Sequence, residues 1–361
     1  MIDAPLTLRS GLVLPNRAAV AAMTNGQSLP DGRVGDDEIA WLARRADGGF
    51  GLVATCAAYV SKDGKAWDGQ LGVDRDDDLD GLARFATRLQ RGGCAGIVQL
   101  FHGGVRATQR LTGEQVWSAT TFHEDGADFE TPRAATAADI ERVIGDFVAA
   151  AARCQAAGFR GIELHGAHGY LLTQFLSATQ NTRDDEWGGA SLPHRARLVR
   201  DVMRRVRARV GAGFTVGVRL SFESGGNAKG LDFDEMVQVA TWLCDDGADF
   251  IHASLFYAER NTRKYPDRHP IPLIRAALPA DVALFACGNI WTAEDAAAAL
   301  DRGADVVALA RCAIFNPDWP RRVTTPGWQP RRPPATPDEL AELAVSPAFV
   351  KYLRQFKNLV A

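Results

Sequence analysis

The sequence predicts an α/β chain folded as one (β/α)₈ barrel of the TIM type over residues 1–361, with a long capping segment after the third strand and a tail from about residue 326. Three observations predict it. Eight short apolar runs recur, stretches of helical period separate them, and glycines stand where several of those stretches end. The runs are Ala18–Met23, Phe50–Ala57, Ala95–Leu100, Gly161–His165, Thr215–Leu220, Asp249–Ser254, Val282–Ala286 and Val306–Ala310. Most are apolar throughout, as parallel strands buried on both faces are, rather than alternating. A doubly wound sheet would usually have fewer strands.

Between the runs lie amphipathic stretches: Asp36–Ala46, Leu79–Arg91, Ala137–Ala157, His194–Val210, Asp234–Asp246 and Thr292–Arg302. Gly158, Gly247 and Gly303 follow helical runs and suit a left-handed helix end. Asp234 behind Asp232, and Thr292 ahead of Glu294 and Asp295, mark helix starts. Two segments exceed a minimal barrel. His102–Thr136 is too long for a structureless loop and is expected to fold over the barrel mouth. Phe256–Pro270 carries Arg260, Arg263, Lys264 and Arg268 just after the sixth run; the tail begins rich in Pro and Arg and ends in an apolar-patterned helix, Ala348–Leu359.

Composition narrows the class. Apolar residues make up 46% and charged residues 24%, ordinary globular values. A net charge of -3 leaves no basic excess for phosphate backbones, which argues against a nucleic-acid binder. No apolar run reaches the ~18 residues of a membrane span, and the first residues lack the basic-then-apolar order of a secretion signal. The six cysteines form no C-x-x-C pair, so reduced core thiols in a cytoplasmic protein are expected, without zinc or iron–sulfur sites.

Barrel active sites lie at the C-terminal ends of the strands. Those ends read Met23-Thr24-Asn25, Cys56-Ala57-Ala58, Gln99 with His102 beyond, His165 with His168 and Tyr170, Arg219, Ser254, Gly288-Asn289 and Arg311. Polar groups thus begin where the apolar runs stop. His165 and His168, three apart, face the same way if the chain turns helically there. They are then two donors for one substrate oxygen, two ligands of a metal that lacks a third, or a structural pair. Gly288 to Thr292 joins the seventh run to a helix whose N-terminus can cradle a phosphate, and Arg311 adds a guanidinium fork.

The stretch His165-Gly-Ala-His168-Gly-Tyr170-Leu-Leu-Thr-Gln-Phe-Leu-Ser177, followed by Asn181-Thr-Arg183-Asp-Asp185-Glu186-Trp187-Gly-Gly189, closely resembles the old yellow enzyme family of flavin oxidoreductases. The likeness extends through Leu14-Pro-Asn16-Arg17, Gln99-Leu-Phe-His-Gly-Gly104, Val218-Arg219-Leu-Ser221 and Gly303-Ala-Asp305 to Arg311, covering roughly residues 5–320. It implies noncovalent FMN, with NADH or NADPH as hydride donor and an α,β-unsaturated carbonyl compound or related activated alkene as substrate. The phosphate falls to Gly288, Asn289, Ala310 and Arg311, the ring to Ala22, Met23, Thr24 and Ala57, and the pyrimidine edge to Gln99 and Arg219. His165 and His168 are implied to hold the substrate carbonyl, His165 also to contact flavin, and Tyr170 to protonate the α-carbon. Ala22 stands where members often have proline, Ala310 where they often have glycine, and Trp187 replaces a usual tyrosine. Alternatives are a metal-dependent barrel hydrolase built on His165 and His168, or a flavin-binding barrel without catalysis. The expected partners are small molecules, with no nucleic acid and no membrane, and a homo-oligomer is left open.

Overall fold

The architecture is that of a computed structural model, which describes residues 1–123 and 129–361. Eight parallel strands close into a barrel: β1 Ala18–Val20, β2 Leu52–Tyr59, β3 Ala95–Phe101, β4 Gly161–Gly166, β5 Thr215–Leu220, β6 Phe250–Ser254, β7 Ala283–Cys287 and β8 Val306–Leu309. Each pairs with its neighbours in sequence, and β8 closes on β1 through Val307↔Ala18 and Leu309↔Val20. Among the described residues one main helix follows each of strands β1 to β7: α1 Asp36–Asp47, α2 Leu79–Gln90, α3 Ala137–Ala156, α4 Arg197–Val210, α5 Phe233–Asp245, α6 Pro270–Ala277 and α7 Ala293–Asp301. Short α8, Arg311–Phe315, follows β8.

The helix starts follow their caps. Asp232 accepts from the amides of Asp234 and Glu235, and Thr292 forms a reciprocal box with Asp295. Gly158, Gly247 and Gly303 all have positive φ after helix ends. One start differs from expectation. The helical turn before α4 begins at Leu192, because Ser191 and Pro193 open it, and Ala196 separates it from α4. α6 carries no strong period in the sequence; its His269 cap and Pro270 define it.

Inside the barrel, side chains alternate along each strand. The lower layers are apolar: Leu52, Ile97, Phe250, Phe285 and Val306 pack together, with Phe250 and Phe285 stacked at 4.4 Å. The hairpin Leu6–Thr7/Val13–Leu14 plugs the bottom. In β2 the register with β3 slips between Ala54 and Ala57, so one extra residue bulges, and Ala57 comes to lie opposite Gln99.

The segment after β3 is folded. His102 O accepts from Leu171 N, and Gln174 bonds Val105, Gly103 and Ser118, so the segment leans on the helix Leu171–Leu176 beside the mouth. Residues 124–128 of that segment lie outside the described ones. The tail helix ends at Leu353, earlier than the expected Leu359. A backbone bridge of Val360 to Ala335 draws the end of the chain away.

Candidate active site

The strand ends meet at two adjoining cavities that share His168, Arg219, Ala310 and Arg311 as walls. The first, about 190 Å³, lies over the β7–α7 turn. Gly288 has φ +145°, and a Cβ there would stand 2.8 Å from Ala258 N and Leu255 O. Only glycine lets the turn approach the β6 loop so closely. Asn289 takes the left-handed conformation at φ 57°, which asparagine tolerates. Its Oδ1 accepts from Arg311 Nη2 at 3.1 Å, so the exposed guanidinium is held against the turn with other N–H groups free for an anion.

The second cavity, about 340 Å³, is largely apolar. Ala22, Met23 and Thr24 line it from the end of β1, Ala57 from the bulged β2, and Gln99 from β3. Arg219 forms part of its floor, donating to Ala22 O at 3.1 Å and Ser254 Oγ at 3.2 Å.

His165, His168 and Tyr170 enter the same cavity by a route the sequence did not predict. The chain does not turn helically between the histidines. His168 has φ 63° and Gly169 φ 78°, two left-handed residues in a row, and Tyr170 then caps the helix Leu171–Leu176. The rings nevertheless converge, His165 to His168 at 5.0 Å and His165 to Tyr170 at 4.9 Å, with Phe101 against Tyr170 at 4.4 Å. His165 Nδ1 accepts from Ala167 N at 3.3 Å, which leaves the proton on Nε2. Ser254 Oγ accepts from Arg219 and lies 2.7 Å from His168 Nε2; with the hydroxyl proton directed to that nitrogen, His168 carries its own proton on Nδ1. Burial first, and the Arg219 charge second, push His165 down to about 3 and His168 well below the usual histidine range. Both are neutral N–H donors at physiological pH. Burial pushes the Tyr170 phenol up to about 12, so it keeps its proton.

Among the described residues no group of three His, Cys, Asp or Glu is placed to hold a metal ion, so His165 and His168 gain no third ligand. Two strand-end residues turn elsewhere. His102 is buried against Asp63 at 3.4 Å and Trp117, and Asn25 Oδ1 caps a turn at Gln27 N. Of the basic loop, Lys264 pairs with Asp232 and Asp234, Arg263 donates to Ser224 O, and Arg268 lies over Tyr265. Arg260 lies 3.9 Å over Tyr257 at a neighbouring cavity of about 310 Å³ that shares Ser254, Leu255 and Phe256 with the first.

Sequence reasoning missed the tail. Phe349, Tyr352, Leu353 and Phe356 line the second cavity, as does Trp67. The signal was present in the spacing of Phe349, Tyr352 and Phe356, but it says only that one helix face is apolar, not what it covers.

The model of the NADH:flavin oxidoreductase / NADH oxidase family matches residues 2–326. An NADPH dehydrogenase of Bacillus licheniformis is 35% identical over 318 residues, covering 86% of this chain and 90% of its own length. An NADH:fumarate oxidoreductase of Klebsiella pneumoniae is 33% identical over 332 residues; the match covers 88% of this chain but 35% of that protein. An old yellow enzyme homologue from Zymomonas mobilis superposes with a TM-score of 0.80 at 26% identity, covering 91% of this chain and 94% of its own. With its barrel and nearly all of its length matched, this chain belongs to the NADH:flavin oxidoreductase / NADH oxidase family, of the old yellow enzyme type, and is an oxidoreductase that uses FMN with NADH or NADPH.

Proposed function

We propose that this enzyme reduces the C=C bond of α,β-unsaturated carbonyl compounds and related activated alkenes. The observation that carries the reading is the meeting of His168 and Tyr170 around His165, each ring about 5 Å from it, on an apolar cavity.

The residues present fit FMN. The close-packed Gly288 turn, Asn289 and Arg311 suit its phosphate. Ala22, Met23, Thr24 and Ala57 offer small and apolar walls to a flat ring, and Gln99 and Arg219 offer polar groups to its edge. Bound FMN supplies the relay of hydride from NAD(P)H to the substrate's β-carbon.

His165 and His168 bind and orient the substrate by donating to its carbonyl oxygen, from neutral nitrogens that lose no proton to it. As charge develops on that oxygen, the two donors are already aimed, so little reorganisation opposes it. Tyr170 gives its phenolic proton to the α-carbon and is reprotonated from solvent. The Phe101 ring against Tyr170 fixes the phenol and excludes water beside it. Tyr352 adds a second phenol to the wall.

Stopped-flow measurement of both half-reactions in Tyr170→Phe tests the reading. Flavin reduction by NAD(P)H should stay near the parent rate. Reoxidation by cyclohexenone should slow by ~10²–10⁴, the usual contribution of general acid catalysis. Reoxidation by quinones should be spared, since no proton goes to carbon. Parent enzyme that turns over no enone, maleimide or nitroalkene would refute the substrate class.

A further inference from the structure

Behind the strand-end residues just described, the barrel interior carries three further polar groups that the reaction does not use: Glu163, His252 and Cys287. Glu163 from β4 accepts from Gln99 Nε2 at 2.6 Å and from His252 Nδ1, on β6, at 2.7 Å. Cys287 ends β7, and its Sγ receives Arg219 Nη2 at 3.4 Å. His252 lies opposite Arg219 in register, and Ser254 opposite Cys287. All are buried, except that Ser254 is partly open. His252 Nε2 is buried without a geometric hydrogen-bond partner. Ionisable groups are a costly filling for a barrel that packs Phe250 and Phe285 one layer below.

We propose that Cys287, backed by His252 and Glu163, is a positioning group for the flavin: it shares the charge of Arg219 from the side away from the ring and so sets how strongly that guanidinium favours electron uptake. The inference rests on the reading of Arg219 as the cation at the flavin's edge. The groups facing the thiol are Arg219 from β5, His252 and Ser254 from β6, and Arg311 across the first cavity, with Glu163 behind His252. Burial alone would push the thiol up, but Arg219 and then His252 outweigh it and bring it down to about 6. The other five cysteines go the other way, pushed up by burial. Burial would likewise push Glu163 up and His252 down; each is overridden by the other's charge.

The sign follows. Above the thiol's range, a thiolate offsets Arg219 and disfavours negative charge on the flavin. Below it, the neutral thiol leaves Arg219 uncompensated. Coupling is reciprocal, so flavin reduction favours proton uptake by the sulfur from solvent.

The test is the FMN midpoint potential of the holoenzyme between pH 5 and 8.5, in the parent, Cys287→Ala and Cys287→Ser. Both variants should favour the reduced over the oxidised flavin by ~10-fold more than the parent at pH 8, about 30 mV for a two-electron couple. The difference should close towards pH 5, a pH dependence that a packing defect would not produce. Infrared difference spectra of the parent near pH 6.5, about midway between the thiol's range with oxidised flavin and one shifted up by that 10-fold coupling, should show an S–H band growing on reduction, absent in Cys287→Ala; this second measurement stands if the variants fold poorly. Potentials unchanged at every pH in both cysteine variants, or no S–H band, would overturn the proposal. Arg219→Gln separates the two levels. If it lowers the potential while the cysteine variants do not, the reading of Arg219 stands and this inference falls; if it leaves the potential unchanged, both fall.

Discussion

At the scale of single residues, the proposed reading turns on which nitrogen holds a proton. The Ala167 amide fixes His165, and the chain from Arg219 through Ser254 fixes His168, so both histidines present N–H groups without being charged. His165→Ala and His168→Ala should each weaken binding of phenolic ligands, whose oxygen stands in for the developing enolate. Each should also slow enone reduction by ~10²–10³, the usual effect of losing one oxyanion donor. The pH profile carries a sign. Folded-state values for both histidines lie below the ordinary 6.5, so neither takes a proton as pH falls through that range. Affinity for a phenol that does not itself titrate there should therefore show no inflection between pH 5.5 and 7.5 in flavin-perturbation titrations of Cys287→Ala, in which the thiol beside Arg219 no longer contributes. An inflection near 6.5 that disappears in His168→Ala would contradict the neutral pair.

At the scale of elements, the β7–α7 turn is the narrowest constraint. Gly288 has backbone atoms of Leu255 and Ala258 where a Cβ would go, and Arg311 is tied to the next residue, Asn289. Gly288→Ala must move the β6 loop or the turn, and FMN affinity should fall with it. Arg311→Ala should give folded protein that loses flavin at sub-micromolar concentration, since one charged hydrogen bond contributes about 1.5–3 kcal/mol. Ultrafiltration followed by flavin fluorescence reads both. Full occupancy in Arg311→Ala would move the phosphate elsewhere.

At the scale of the whole molecule, the tail reaches the cavity through Arg45. This arginine is fully buried on α1 and donates to the carbonyls of Trp41, Ala313, Ile314 and Leu343, so it ties α1, α8 and the tail together. Phe349 packs edge-on against Trp41 at 5.1 Å from the tail side. Arg45→Met keeps much of the volume but strands buried carbonyls, at roughly 1–3 kcal/mol for each that stays unsatisfied. The denaturation midpoint should drop, and limited proteolysis should release the tail before the barrel is cut. An unchanged midpoint would show that water reaches those carbonyls.

The barrel and most of its strand ends are legible along the chain. Eight buried parallel strands read as apolar runs because both faces are covered, and Thr292 with Asp295 or Asp232 ahead of its helix act within one turn of chain. Residues such as Gln99, Arg219 and Arg311 were legible because a polar group at the end of an apolar strand has only the mouth to face. The remaining features depend on contacts between distant parts of the chain. The approach of His168 to His165 depends on two left-handed residues, not on the three-residue spacing read as a helical turn. His102 resembles its neighbours in sequence yet turns to Asp63. Cys287 looks like the other five thiols until Arg219 and His252 are beside it. Phe349 and Tyr352 line a site nearly two hundred residues away from Tyr170 in sequence. Local hydrogen bonds and strand periodicity are set by neighbours along the chain, whereas charge sharing and cavity walls are set by residues that only closure of the barrel brings together.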